Sequence, residues 1–330
     1  MIDDLLDPNA LSDNTERVSL VQTHISLVFL ADEFVYKIKK PVNFGFLDFS
    51  TLKKRRYYCH QEVILNRRLS KDTYIGVVPI TYDGNSYLMG IGKGRVVEYA
   101  VKMKRLPHDM FMKSVFLRGA LKREHLKRIA GVAARFHLSA KNSPAIDKFA
   151  EPEGFRVNTD ENFAQTERYI GKSIQRKDFH AIQKWTGDFY NANRARFYRR
   201  IKANRIRDCH GDLHMEHICL TQDLPIFDCI EFNRRFRYTD AACDIAFLLM
   251  DLEYHGGVVY SKMLWNSYAE MAAEETDVEG LLTFYKVYRA FVRGKVSSFQ
   301  LDDENIGMEK KQEAIQTARR YFRLARSYIE

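Results

Sequence analysis

No run of about 18 apolar residues occurs in this chain, so no segment reads as a membrane-spanning helix. A secretory signal is also missing: Met1-Ile2-Asp3-Asp4 is acidic where such a signal would be basic and then apolar, and a cytoplasmic location is expected. Cysteine is scarce, at 5 residues in 330, and no C-x-x-C pair is present, which excludes a zinc ribbon and a disulfide framework. Reduced thiols are expected. Internal repeats and low-complexity segments are absent, which argues against a solenoid. What is present is an apolar content of 45%, ample for a core, and enough length for two lobes. The net charge of +9 favours an anionic partner. Its basic clusters, such as Lys37 to Lys40 and Arg199 to Arg207, are interleaved with apolar residues, and no nucleic-acid reading motif accompanies them.

The amino-terminal third reads as sheet with one helix. Alternation predicts strands over Val18 to Gln22, Ile25 to Leu30 and Phe34 to Lys39, with turns at Thr23-His24 and Ala31-Asp32-Glu33. In the third strand, the period of two puts Val35, Lys37 and Lys39 on one face and Phe34, Tyr36 and Ile38 on the other. Ser50 or Thr51 caps a helix running to about Leu69, with Glu62 in its interior. Strands over 76–82, 86–90 and 96–104 complete a sheet of five or six. The segment from Met103 to Leu106, just before Pro107, marks the expected hinge. The domains are therefore 1–104, the small sheet lobe, and 105–330, a mainly helical lobe.

Helical stripes run over 121–138, 177–202, 241–252, 258–273, 278–299 and 310–328, and Lys141 to Gly154, with its two prolines, reads as a connection. The chemistry concentrates between them, in Cys209-His210-Gly211-Asp212-Leu213-His214-Met215-Glu216-His217-Ile218. Asp212 lies in a polar loop before two strand-like pieces, Ile218 to Leu220 and Pro225 to Ile230, and Glu231 follows the second. Asp212, His217 and Glu231 thus stand at 0, +5 and +19, joined by a hairpin. One acid can orient a hydroxyl while the other two groups hold a metal.

His210-Gly211-Asp212-Leu213-His214 resembles the H-G-D-L-H loop of aminoglycoside phosphotransferases and choline kinases, closest to their aminoglycoside phosphotransferase-like branch. The fold of that family is similar to that of protein kinases, which implies an α+β, bilobal architecture. The resemblance implies that Asp212 is the catalytic base and that His217 and Glu231 are the metal ligands, where the kinase pattern has Asn and Asp. Phe34-Val35-Tyr36-Lys37 is similar to the V-A-I-K strand, which implies that Lys37 meets the nucleotide phosphates with Glu62 as its helix partner. Ile129 to His137 is similar to the helix before the catalytic loop, and Thr239 to Ala246 to the family's G-D-P-x-x-D-L-A. His210 then holds the loop and Asp244 braces it. A glycine-rich phosphate loop is missing, so the turn at Thr23 and His24 would serve, and Met103 and Leu106 would flank the nucleotide at the hinge.

The implied activity is transfer of the γ-phosphoryl group of ATP or GTP, with Mg²⁺ or Mn²⁺, to a hydroxyl of a small metabolite. Tyr285, Arg289 and Arg293 share a helix face, and Arg289 and Arg293 would favour an acceptor that already carries an anionic group. Lys39 competes with Lys37 on the same strand face, and Asp228 competes with Glu231 as the metal carboxylate. Two other functions stay open: a catalytically silent kinase-like nucleotide-binding or regulatory protein, and a metal hydrolase using Cys209, His210, His214 and His217 as ligands.

Overall fold

The computed structural model describes residues 1–330 apart from Ile91, Lys93 and Asn305. The chain divides into two compact units: Met1–Ala120 with Glu216–Arg234, and Leu121–Met215 with Arg235–Glu330. The expected boundary lies at 104, with 216–234 in the helical part. Backbone pairing explains the difference, since Met112 N donates to Ile218 O at 2.8 Å and Leu220 N to Met110 O at 2.8 Å.

The first unit is built on a six-stranded antiparallel sheet in the order β1-β2-β3-β6-β4-β5. Its strands are β1 (Ser19–Gln22), β2 (Ser26–Leu30), β3 (Phe34–Lys39), β4 (Tyr74–Tyr82), β5 (Tyr87–Met89) and β6 (Arg95–Lys104). Helix α1 (Leu52–Asn66) follows β3, and its N-cap Thr51 accepts from Lys54 N at 3.3 Å. Alternation along β3 works as expected. Tyr36 and Ile38 enter a core with Leu27, Phe29, Ile80 and Ala100 on one side of the sheet. On the other side, Cys59 and Val63 of α1 pack with Tyr74 and Val101.

The piece 216–234 of this unit is irregular. The expected strands at 218–220 and 225–230 reduce to isolated bridges, Phe111↔Cys219 and Ile218↔Ile226. Left-handed backbone at Leu224 (φ 47°) and Asp228 (φ 62°) breaks the extended run at both ends.

The second unit is mainly helical: α2 (Arg123–Ser139), α3 (Pro152–Thr166), α4 (Arg176–Lys202), α5 (Ala241–Tyr254), α6 (Val258–Ala272), α7 (Glu279–Phe299) and α8 (Met308–Ser327). Two short strands, β7 (Ile206–Asp208) and β8 (Tyr238–Asp240), pair antiparallel with Ile206 opposite Asp240. Helix α5 is apolar nearly all round and is buried from Ala241 to Leu252. Phe247 and Met250 of α5 meet Phe163, Phe179, Val287, Phe291 and Phe322 in the main core of this unit. No helix among the described residues is long and apolar enough to cross a membrane.

Candidate active site

In the helical unit, β7 delivers the chain directly into the loop Cys209 to Met215, and α5 holds that loop from below. Asp244 Oδ2 accepts from His210 N at 2.9 Å, and its Oδ1 accepts from Gly211 N at 2.8 Å. Two helical turns further on, Asp251 Oδ2 accepts from Met215 N at 3.0 Å. Residues seven apart lie on one face of a helix, so a single buried face of α5 grips both ends of the loop. A signal for Asp251 is legible: it is an acid in the apolar stretch Ala241 to Leu252, spaced seven from Asp244. Sequence reasoning picked out only Asp244.

The carbonyl side of the loop is held as well. Arg289, buried on α7, donates to Gly211 O at 2.9 Å and to Cys243 O at 3.2 Å, with its guanidinium over the Phe247 ring. His137 of α2 lies 3.0 Å from Asp244 through Nε2 and 2.8 Å from the Tyr268 hydroxyl through Nδ1. Between these clamps, His210 is fully buried and its Nδ1 accepts from Asp212 N at 3.3 Å. The Asp212 side chain keeps 32% of its surface, with His214 Nε2 at 3.5 Å from its Oδ2. Asp212 is thus the accessible acid of a loop whose other groups are committed to holding it.

The sheet unit gathers a second set. Lys37 Nζ lies 2.9 Å from Glu62 Oε1 and 2.5 Å from Asp228 Oδ1. Lys39 Nζ lies 2.6 Å from Glu62 Oε2 and pairs with Glu231. His217 Nε2 lies 3.6 Å from Asp228 Oδ2. Burial pushes Glu62 up, but its two lysines outweigh that and hold it below the usual glutamate range. Glu231 has the same burial with less compensation, and its carboxyl is pushed up.

These positions change three sequence expectations. Glu231 is 8% exposed and committed to Lys39, and within the sheet unit a carboxylate that meets His217 is that of Asp228, whose side chain is 39% exposed. Strand alternation could not choose between them because the left-handed Asp228 takes the segment out of strand geometry. Tyr285 and Arg289 are both taken up inside the helical unit: Tyr285 is buried with its hydroxyl 3.3 Å from Asp240 Oδ2, and Arg289 donates to the loop at Gly211 O. Arg293, partly buried, reaches the Tyr321 hydroxyl at 3.4 Å. Glu62 takes both lysines rather than Lys37 alone.

The remaining expected nucleotide contacts are placed as follows. Thr23 caps the β1–β2 turn, its hydroxyl accepting from Ser26 N at 2.9 Å, with His24 exposed beside it. Met103 sits in β6 opposite Val35, and Leu106 follows the strand half-buried.

No family model matches the chain. Uncharacterised proteins of Mycobacterium tuberculosis and Mycobacterium bovis are 30% identical over 314 residues, which is 95% of this chain and 60% of theirs. The chain therefore spans about 60% of the length of the curated relatives it matches. Among solved structures, a choline/ethanolamine kinase family protein from Mesorhizobium loti superposes with a TM-score of 0.52 over 96% of this chain and 94% of its own, at 12% identity. Aminoglycoside 2'-phosphotransferase-IIIa, solved with GDP, gives 0.52 over 94% of each chain, also at 12% identity. The chain has the aminoglycoside phosphotransferase and choline kinase fold. Another protein with this kinase-like fold, the amicoumacin kinase hAmiN in complex with AMP-PNP, Ca²⁺ and Ami, gives 0.52 over 93% of this chain and 88% of its own, at 10% identity. At such identities the likeness is one of architecture: a curled antiparallel sheet followed by a helical part, as expected from the H-G-D-L-H resemblance.

Proposed function

We propose that the protein is a small-molecule kinase that transfers the γ-phosphoryl group of ATP or GTP to a hydroxyl, with Asp212 as the base. The observation that carries this reading is the loop 209–215. Its amides and one carbonyl are fixed by Asp244, Asp251 and Arg289, while Asp212 keeps an accessible carboxylate. Phosphoryl transfer is mostly positioning and charge neutralisation, and a fixed loop presenting one acid suits it.

In this reading Lys37 meets the phosphates, and Glu62 keeps its ammonium in place. The fold family implies a divalent cation. Its holders here would be His217 and Asp228, whose facing atoms at 3.6 Å are close enough to share one ion. An imidazole with a carboxylate fits Mn²⁺ better than Mg²⁺, which prefers an all-oxygen shell. The cation, when bound, would neutralise phosphate charge. Asp212 would accept the acceptor's hydroxyl proton, with His214 beside it limiting its rotation.

The silent kinase-like alternative draws on His217 in place of Asn and on the exposed Thr23-His24 turn in place of a glycine loop. The hydrolase alternative would need a metal held by Cys209, His210, His214 and His217; Cys209 and His210 are buried, and His210 Nδ1 already accepts from Asp212 N. As acceptor we favour a small hydroxylated metabolite. Only Arg293 of the three expected contacts still supports an anionic group on it.

The test is a phosphate-transfer screen over hydroxylated metabolites with ATP and GTP, each with Mg²⁺ and Mn²⁺. Turnover that falls by about 10²- to 10⁴-fold in Asp212→Asn, the usual loss for a missing general base, is the expected result. Nucleotide binding without transfer to any acceptor would favour the silent reading. Absence of nucleotide binding altogether would sink both.

A further inference from the structure

In kinases a lysine on the third strand pairs with a helix glutamate, and whether that pair is formed decides whether the site is assembled. Here Glu62 is held twice. Its two oxygens are taken by different lysines, Lys37 at 2.9 Å and Lys39 at 2.6 Å, which stand two apart on one face of β3. Lys39 is 2% exposed, so it has no access to a ligand, and its other partner is Glu231. Glu231 lies three residues beyond Asp228 on the same segment, so one buried ammonium ties β3, α1 and the Asp228 segment together.

Further bonds stitch that segment to α1 and the residues after it. Cys229 N donates to Asn66 Oδ1 at 2.7 Å, and Asn66 Nδ2 donates to Glu62 O at 2.9 Å. Asp228 N donates to the Tyr74 hydroxyl at 3.1 Å, and the Ser70 hydroxyl bonds Ile226 O. A left-handed residue costs free energy unless its surroundings hold it, and these contacts hold Asp228 in that conformation. If Lys37 left Glu62 for an incoming phosphate, Glu62 would still be fixed by Lys39.

We propose that Lys39 and Glu231 are positioning residues that lock Glu62, Lys37 and Asp228 into their phosphate-receiving arrangement before any nucleotide arrives. The sheet unit then needs no partner or modification to swing α1 into place. The inference rests on the reading of Lys37 as the phosphate cation. It separates two lysines that strand alternation alone puts on one face: Lys37, partly exposed, faces the ligand, and Lys39 is the buried peg.

The first test uses the natural chain. Hydrogen exchange of the α1 amides from Arg55 to Asn66 should be slow without nucleotide and unchanged when Mn²⁺ and ATP are added. A protection gain of about tenfold on addition would show that the helix is assembled by ligand, and would overturn the proposal.

The second test is the dissociation constant for Mn²⁺–ATP in Glu231→Gln and in Lys39→Met with Glu231→Leu. The latter replaces the Lys39–Glu231 pair by apolar groups and leaves Glu62 to Lys37 alone, so its thermal midpoint is measured alongside and binding is read below it. Both should bind about tenfold more weakly, as expected when the competent arrangement is only partly populated, and Glu231→Asp should recover part of the loss. Unweakened binding in the apolar pair would overturn the proposal. Lys37→Met is the control: if it also binds normally, the phosphate reading of Lys37 fails, and if it alone weakens binding, only the lock fails.

Discussion

Arg289 and Gly211 share a hydrogen bond of 2.9 Å, from the guanidinium to the backbone carbonyl, while the amide of the same glycine donates to Asp244 at 2.8 Å. Gly211 has φ 87°, a left-handed conformation that costs a side-chain-bearing residue strain. Gly211, the residue just before Asp212, is therefore pinned through both its amide and its carbonyl, and the orientation of Asp212 follows in part from a residue on α7.

Arg289→Lys keeps the charge but cannot reach Gly211 and Cys243 with a planar fork. Turnover in the phosphate-transfer assay should fall by about 10- to 100-fold, the range for a slightly misplaced catalytic group, while the nucleotide dissociation constant stays unchanged. Equal losses in both measurements would assign Arg289 to the fold rather than to the loop.

Asp244 should make stability acid-sensitive. Burial by itself pushes its carboxyl up, but the His137 hydrogen bond and the charges of His137, His210 and Arg289 outweigh it and hold the group well below the ordinary 3.8. A carboxyl lowered in the folded state adds stability above its unfolded pKa and loses it as pH falls toward the folded one. Urea midpoints should therefore drop as pH goes from 4 to about 2.5, and Asp244→Asn should flatten that part of the profile. An unchanged slope in the variant would show that other groups carry the acid sensitivity.

The pairing of His217 with Asp228 predicts a metal preference. Nucleotide binding should be tighter with Mn²⁺ than with Mg²⁺, and His217→Asn should reduce that ratio by supplying an oxygen donor. Calorimetric titration of ADP with each metal measures it. A ratio unmoved by the substitution would place the metal elsewhere.

Packing of α7 on α8 depends on Gly294. A Cβ there would lie 2.7 Å from a ring carbon of Phe322, which is buried among Phe291, Ala318 and Tyr321. Gly294→Ala should destabilise the fold by about 1–3 kcal/mol, the usual range for overpacking a core. Urea denaturation checks this, and a neutral or stabilising result would show that Phe322 moves aside freely.

Elements with a local signature were legible. The strands β1 to β3 and the Thr51-capped helix emerged within a residue or two at most ends, because alternation and capping are decided by neighbouring residues. The two prolines of 141–154 suggest a connection, but the stretch holds a short helix at Pro144–Asp147 and the start of α3 at Pro152. That helix buries Asn158, Asn162 and Thr166, a polar stripe that hides its inner face from a hydrophobic count. Strands β7 and β8 have three residues each and pair across about thirty positions, so neither shows a strand signal by itself.

By itself the sequence determined the two-lobed kinase-like architecture, the loop around Asp212, the Asp244 brace and the shared face of Lys37 and Lys39. The shared lysine face follows from short-range periodicity, and the architecture, the loop and the brace are what the resemblance of His210 to His214 and of Thr239 to Ala246 implies. Only the tertiary structure decided that Lys39 is buried against Glu62 and Glu231, that Asp228 stands beside His217, and that Arg289 serves the loop. Each of those depends on which charge loses its water, and that is settled by contacts between residues far apart in the chain.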